Sequence, residues 1–320
     1  MLSRNGIVVS KTISGRTIPL DAAALLQSRR RKVGGNNRMA KDASVVGPQE
    51  NEGRQYPILR PDERRAERAS LCALAVMAKA PRVGKVKTRL SPPLTLEESA
   101  ALNICFLRDT TRNIAEVAAG GSAAGLVCYT PVGNEVAFSS LLPDGFALIP
   151  QRGDGFGERL WAAAEDILAC GFGTVCLIDS DSPTLPAFAL EQAIAELARP
   201  GDRVVLGGSN DGGYYLIGLK RAHAEPFERI TWSTNTVYDE TVERIRESQL
   251  ELIELPTWYD VDDAATLALL EKELLDGLRP SFASVDGYPA EITKNYLTKR
   301  RQISIDNALL SSQPLLRSTR

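Results

Sequence analysis

From Leu71 onward the chain alternates short apolar runs with amphipathic stripes, and that alternation restricts it to an α/β architecture. Strands are expected at Cys72–Met77, Gly125–Tyr129, Phe146–Ile149, Thr174–Ile178, Arg203–Gly207, Tyr214–Leu219 and Leu250–Leu255, each apolar or β-branched and bounded by turn residues. Between them, side chains such as Leu96, Ala100, Ile104 and Leu107 recur at helical spacing, as do Leu160, Ala164 and Ile167. The last stripe, Leu267, Leu270 and Leu274, is stopped by Gly277. Strand–helix alternation implies a mostly parallel sheet with helices on both faces. The connection Asn210-Asp211-Gly212-Gly213 is too short for a crossover helix, so the strands it joins are expected to be antiparallel and the sheet mixed.

Three segments follow from this pattern. Residues 1–70 read as a polar, flexible N-terminal extension with a basic run at Arg29–Lys32 and one short amphipathic stretch at Leu20–Leu26. Residues 71–278 form the folded domain. Residues 279–320 are a polar, basic tail with one helix expected near Ala290–Arg300. Net charge is -2, which gives no global field for nucleic acid, although residues 1–70 hold roughly twice as many basic as acidic groups and leave the remainder acidic. The five cysteines form no CxxC pair and read as buried free thiols of a cytoplasmic protein. A single histidine, His223, excludes a multi-histidine metal centre. No apolar run reaches membrane-spanning length.

The polar loops after the strands carry the chemistry, as is usual in α/β proteins. The first holds Lys79, Arg82, Lys85, Lys87 and Arg89, with Pro81 and Gly84 shaping the turn. Guanidinium and ammonium groups at that density suit a diphosphate. The run is neither GxxxxGK[ST] nor GxGxxG. The second loop, with Gln151, Gly153, Gly155 and Gly157, offers backbone amides at a helix start to a polar ligand, or is a plain entry turn with Asp154 as its cap. The third delivers Asp179 and Asp181 into a Ser182-Pro183 turn, a ligand set for Mg²⁺ or Mn²⁺ if a partner carboxylate meets it. Asp262 offers that partner, with Asp262 or Asp263 also able to cap the helix that follows. The fourth puts Asp211 beside Gly212 and Gly213, whose lack of a side chain allows close approach of a ligand. Trp232, Ser233 and Thr234 read as core plus a helix cap.

Taken in order, MAKAPRVGKVKTRL, QRGDGFGERL, LIDSDSPTLP, SNDGGYYLIGL and WYDVDDAATL resemble the motifs of a bacterial glycosyltransferase family linked to arsenosugar biosynthesis, from about Leu71 to Leu275. The resemblance implies a single Rossmann-like domain of the GT-A type that transfers sugar from a nucleoside diphosphate to a small-molecule acceptor. It implies Lys79, Lys87 and Arg89 at the nucleotide phosphates, Asp181 and Asp262 as ligands of Mg²⁺ or Mn²⁺, and Asp211 at the substrate as the catalytic group. Gly84, Gln151, Gly153, Asp179, Gly212 and Gly213 complete the expected nucleotide and substrate contacts. The chain departs from the family pattern at Val83, Phe156, Asn210 and Asp179, the last of which makes its DxD more literal. A nucleotidyltransferase of the same fold, releasing pyrophosphate, and a non-catalytic nucleotide-binding module are the rival expectations.

Overall fold

The computed structural model describes residues 55–311, with side chains as far as Asp306. The stretch Leu20–Leu26 and the basic run Arg29–Lys32 lie outside the described residues. Seven strands form one sheet: β1 (Cys72–Lys79), β2 (Ala123–Thr130), β3 (Ala147–Pro150), β4 (Thr174–Ile178), β5 (Arg203–Ser209), β6 (Tyr214–Leu219) and β7 (Glu251–Trp258). Their order across the sheet is β3-β2-β1-β4-β6-β5-β7. Six helices flank it: α1 (Leu96–Ala118), α2 (Phe156–Ala169), α3 (Ala187–Ala198), α4 (Val237–Glu247), α5 (Ala264–Asp276) and α6 (Glu291–Ser311).

β6 runs antiparallel to both β4 and β5, and every other pairing is parallel. The mixed, mostly parallel sheet is thus the one the short Asn210–Gly213 connection demanded. Because β1, β4, β5 and β7 share a direction, their carboxyl ends lie along one rim, and β6 starts there. The order also reverses between β1 and β4, since the chain first builds outward through β2 and β3 and then returns to the other side of β1. The crevice above such a reversal is where open α/β sheets bind ligands.

Alternation along β1 sends its side chains to two cores. Leu74 and Val76 pack on one face with Phe106 and Ile114 of α1 and Leu190 of α3. Ala73 and Ala75 face Leu160 and Ile167 of α2 and Ile245 of α4. The helix entries follow local chemistry. Thr95 caps α1, accepting from Glu98 N, while the Glu98 carboxylate accepts from Thr95 N. Gly277 ends α5 in the left-handed conformation at φ 68°.

Residues outside the strand–helix alternation also pack on the domain. Ile58 bridges to Leu148 of β3, and Leu59 N donates to Leu148 O (2.8 Å), so this segment covers the free edge of the sheet. Arg65 N donates to Cys170 O at 3.1 Å. The expected helix near Ala290–Arg300 extends from Glu291 to Ser311 and buries Thr293 and Leu297. Its first turn is held from α1: the fully buried Asp109 carboxylate accepts from Ile292 N (3.1 Å) and Thr293 N (2.7 Å). A carboxylate there satisfies two orphan donors and the positive end of the helix dipole together. No helix of the described residues is long and apolar enough to cross a membrane.

Charged hydrogen bonds of this kind contribute about 1.5–3 kcal/mol each. Asp109→Ala should therefore lower stability by roughly 2–4 kcal/mol in urea titration. The amides of Ile292 and Thr293 should lose hydrogen-exchange protection before those of β1. Unchanged protection in α6 would mean that its packing, not this carboxylate, holds it.

Candidate functional site

The loop after β1 is pinned by apolar anchors. Val86, Leu90 and Leu94 are buried, and the polar residues between them are left to face the rim. Gly84 turns the chain at φ 69°, a conformation that L side chains resist. Lys87 also adopts a left-handed backbone, at φ 48°. That costs a non-glycine residue on the order of 1 kcal/mol and needs a compensating contact.

The compensation is at the end of its side chain, which is only 5% exposed. Lys87 Nζ lies 2.8 Å from Asp181 Oδ2, 2.7 Å from Asp262 Oδ1 and 2.8 Å from Val261 O. All three donors of the ammonium are used. Burial alone would pull the lysine down, but the charges of Asp181 and Asp262 outweigh it and hold the group above the ordinary lysine range. Asp262 shows the converse. Burial would raise it, and Lys87 and Arg89 together hold it below the usual carboxylate range. Arg89, exposed at the mouth, pairs with Asp262 Oδ2. The two candidate cation ligands, from loops after β4 and β7, therefore converge on one point.

The loop holding Asp181 is braced on every side. Asp181 O accepts from Val261 N (3.0 Å), Leu185 O accepts from the buried Asn113 Nδ2 (2.7 Å), and Thr184 O accepts from Tyr288 N (2.9 Å). At the start of α5 the two aspartates divide the work: Asp263 Oδ1 caps the helix, accepting from Ala265 N and Thr266 N, which leaves Asp262 for the rim.

Two cavities meet along Arg89 and Asp262. One, of about 230 Å³, is lined by Lys79, Lys85, Lys87 and Arg89 with Asn103, Ser180 and Asp181. The other, of about 440 Å³, holds Asp179, Asp211 and Gly213 with Phe156, Tyr214, Tyr215 and Trp232. The basic loop and the carboxylate loops thus share one crevice above the β1/β4 reversal. Asp179 Oδ2 accepts from Ser182 Oγ (2.7 Å), while its Oδ1 is buried with no partner among the described residues. Burial first, then Asp181 and Asp260, push its carboxyl well up. Asp260 is pushed up to about 7 by burial and by the charges of Asp211 and Asp262. Acids perturbed in this way cluster at functional sites.

Gln151 gives its side-chain amide to Cys128 O (2.7 Å) and lines neither cavity. Gly153 and Gly84 shape their turns at positive φ. Gly212, at φ 91°, lies against the backbone of Asn235, whose carbonyl oxygen would be 2.1 Å from an added Cβ. Asp211 Oδ1 accepts from Gly213 N at 2.8 Å. Trp232, Ser233 and Thr234, expected as core and cap, line the larger cavity. Sequence reasoning passed over Asp260 and the ring of Phe156. Asp260 precedes Asp262 by two positions, and that spacing was the available signal. No group of three or more His, Cys, Asp or Glu side chains among the described residues is placed to hold a metal ion.

A family profile described as "Uncharacterized protein conserved in bacteria (DUF2064)" matches residues 113–234. That stretch contains Asp179, Asp181 and Asp211 but stops short of Lys87 and Asp262. No curated protein matches the chain. Among solved structures, a protein from Desulfovibrio desulfuricans G20, provisionally described as a nucleotide-diphospho-sugar transferase, is 28% identical with a TM-score of 0.62, over 75% of this chain and 97% of that one. The chain has that protein's fold. A cytidylyltransferase from Leptospira borgpetersenii serovar Hardjo-bovis (strain JB197) is 11% identical with a TM-score of 0.41, over 77% and 99% of the two chains. Rv0371c from Mycobacterium tuberculosis H37Rv, in a complex with manganese, is 16% identical with a TM-score of 0.39, over 63% and 98%. These last two scores are too low to bear on the argument.

Removing the shared cation should expose its structural weight. Lys87→Met leaves two carboxylates facing each other, and the loss is moderated because Asp181 and Asp262 are 29% and 33% exposed. We expect a cost of about 1–3 kcal/mol by urea melt. Asp181→Asn in the Lys87→Met background should recover part of it. A double-mutant coupling near zero would show that the three groups do not act together.

Proposed function

We propose that the chain is a divalent-cation-dependent transferase that uses a nucleoside-diphosphate sugar and passes the sugar to a small-molecule acceptor. One observation carries this reading: two carboxylates from separate loops converge on a single cationic point at the edge of a cavity lined by four basic side chains. The fold shared with the Desulfovibrio protein supports the substrate class.

Lys79 and Arg89 bind the diphosphate, and Lys85 adds charge at the mouth. A cation would enter here by exchange with the Lys87 ammonium, which occupies Asp181 Oδ2 and Asp262 Oδ1; small hard cations commonly take one or two protein carboxylates together with substrate phosphate oxygens. Mg²⁺ or Mn²⁺ held there would supply neutralisation of the charge that grows on the diphosphate as it leaves. Lys87 keeps the two carboxylates ionised and close before substrate arrives. Asp211, in the adjoining cavity, faces the sugar or takes the proton of the acceptor hydroxyl. The acidic wall and the basic wall meet at Arg89 and Asp262, so a sugar attached to a bound diphosphate would cross from one cavity into the other.

The test is a melting-shift panel with Mn²⁺ and nucleoside diphosphates, followed by turnover. At a hundredfold excess over Kd, the matching nucleotide should stabilise the protein by about 2.7 kcal/mol. Asp181→Ala and Asp262→Ala should each abolish the metal-dependent part of the shift and the release of nucleoside diphosphate from a sugar nucleotide. Release of pyrophosphate from a nucleoside triphosphate would replace this reading with nucleotidyl transfer. No shift with any nucleotide would leave neither.

A further inference from the structure

The cavity of about 440 Å³ beyond Arg89 differs in kind from its basic neighbour. Asp179, Asp211, Asp262 and Arg89 line it together with the rings of Phe156, Tyr214 and Trp232. Two polar atoms of its lining residues, Asp179 Oδ1 and the Tyr214 hydroxyl, are buried without a hydrogen-bond partner among the described residues. Phe156 is 48% exposed, so a large apolar ring is left uncovered beside carboxylates. Burial of such a ring is favourable wherever a ligand can cover it.

The ring geometry narrows the ligand. Phe156 meets Trp232 at 78° with centroids 5.0 Å apart, and Tyr214 meets Trp232 at 70° with centroids 6.5 Å apart. Phe156 thus packs edge-to-face on Trp232, and its half-exposed ring is left for whatever enters. The Asp211 carboxylate and an aromatic ring attract the same species, a positively charged group on an apolar body. Both repel an anion. The basic cavity has the opposite preference, and the two are separated only by the Arg89–Asp262 pair.

We infer that the larger cavity is the acceptor pocket and that it selects an acceptor bearing a protonated or quaternary ammonium group on an apolar frame. The inference rests on the reading of the basic cavity as the diphosphate site, and it adds the acceptor's chemical class. Opposite charges then sort the two substrates: the phosphates of the donor lie along Lys79, Lys85 and Arg89, and the cation of the acceptor lies between Asp211 and the rings.

The experiment is isothermal titration of the full chain with benzyltrimethylammonium, benzyl alcohol and benzoate, which share a ring and differ in charge. The ammonium probe should bind at least tenfold more tightly than benzyl alcohol, and benzoate should not bind. Trp232→Leu and Asp211→Asn should each weaken the ammonium probe at least fivefold. Phe156→Leu, at an exposed position and so safe for folding, should weaken it severalfold. Equal affinity for benzyl alcohol, preference for benzoate, or unchanged ammonium binding in Phe156→Leu and Trp232→Leu would overturn the inference. A parallel titration with nucleoside diphosphate and Mn²⁺ reads the basic cavity alone. Ammonium binding without nucleotide binding would sink the transferase reading and leave the cation pocket standing, and the reverse result would sink the pocket alone.

Discussion

One buried ammonium ties the rim of this sheet together. Lys87 reaches from the loop after β1 to a carboxylate after β4, and to a carboxylate and a carbonyl after β7. Three loops that are distant in sequence share one charge. Without it, two acids would approach each other in a half-buried crevice, where like charges are costly. The left-handed backbone at Lys87 follows from the same contact, because a strained residue persists only where its surroundings over-determine it. The braces behind the loops, Asn113 to Leu185 and Val261 to Asp181, fix the distance the ammonium spans.

The sheet determines where that charge sits. With β1, β4, β5 and β7 aligned, every loop rich in charge leaves from the same edge. The inserted antiparallel β6 adds a tight turn at that edge rather than a helix, which keeps Asp211 close to the strand ends. Basic and acidic loops then emerge on opposite sides of the β1/β4 reversal. That is why one crevice divides into a basic part and an acidic, aromatic part.

Much of this was readable beforehand, for definite reasons. The strands announce themselves because buried strands need continuous apolar residues, and all seven appear near their expected positions. β1 and β7 run further than expected because Lys79 and Trp258, residues that look like loop or cap, continue the ladder. The antiparallel pair was legible from loop length alone. The approach of Asp181 to Asp262 was not dictated by either local sequence, since each reads equally well as a turn or cap residue. Resemblance to known motifs suggested it, and the geometry brings them together. The aromatic wall was hidden for a different reason. Trp232 and Tyr214 look like core residues, and only the tertiary packing, with Gly157 of α2 lying against Phe227 and Trp232, shows them lining a cavity. Gln151, a polar side chain beside glycines that resembles a ligand contact, serves the sheet backbone through Cys128 O.

The last strand–helix unit ends at Gly277, but the scaffolding of the crevice does not. Residues beyond it come back beneath the acidic turn after β4, where Tyr288 donates to Thr184 three positions past Asp181, and Gly287 fits against Trp258 with no room for a side chain. The distal segment is thus a keel under the ligand-bearing rim. Trimming the chain to its visible repeat of strands and helices would leave every charged residue of the crevice in the sequence and take away the surface that holds them in place.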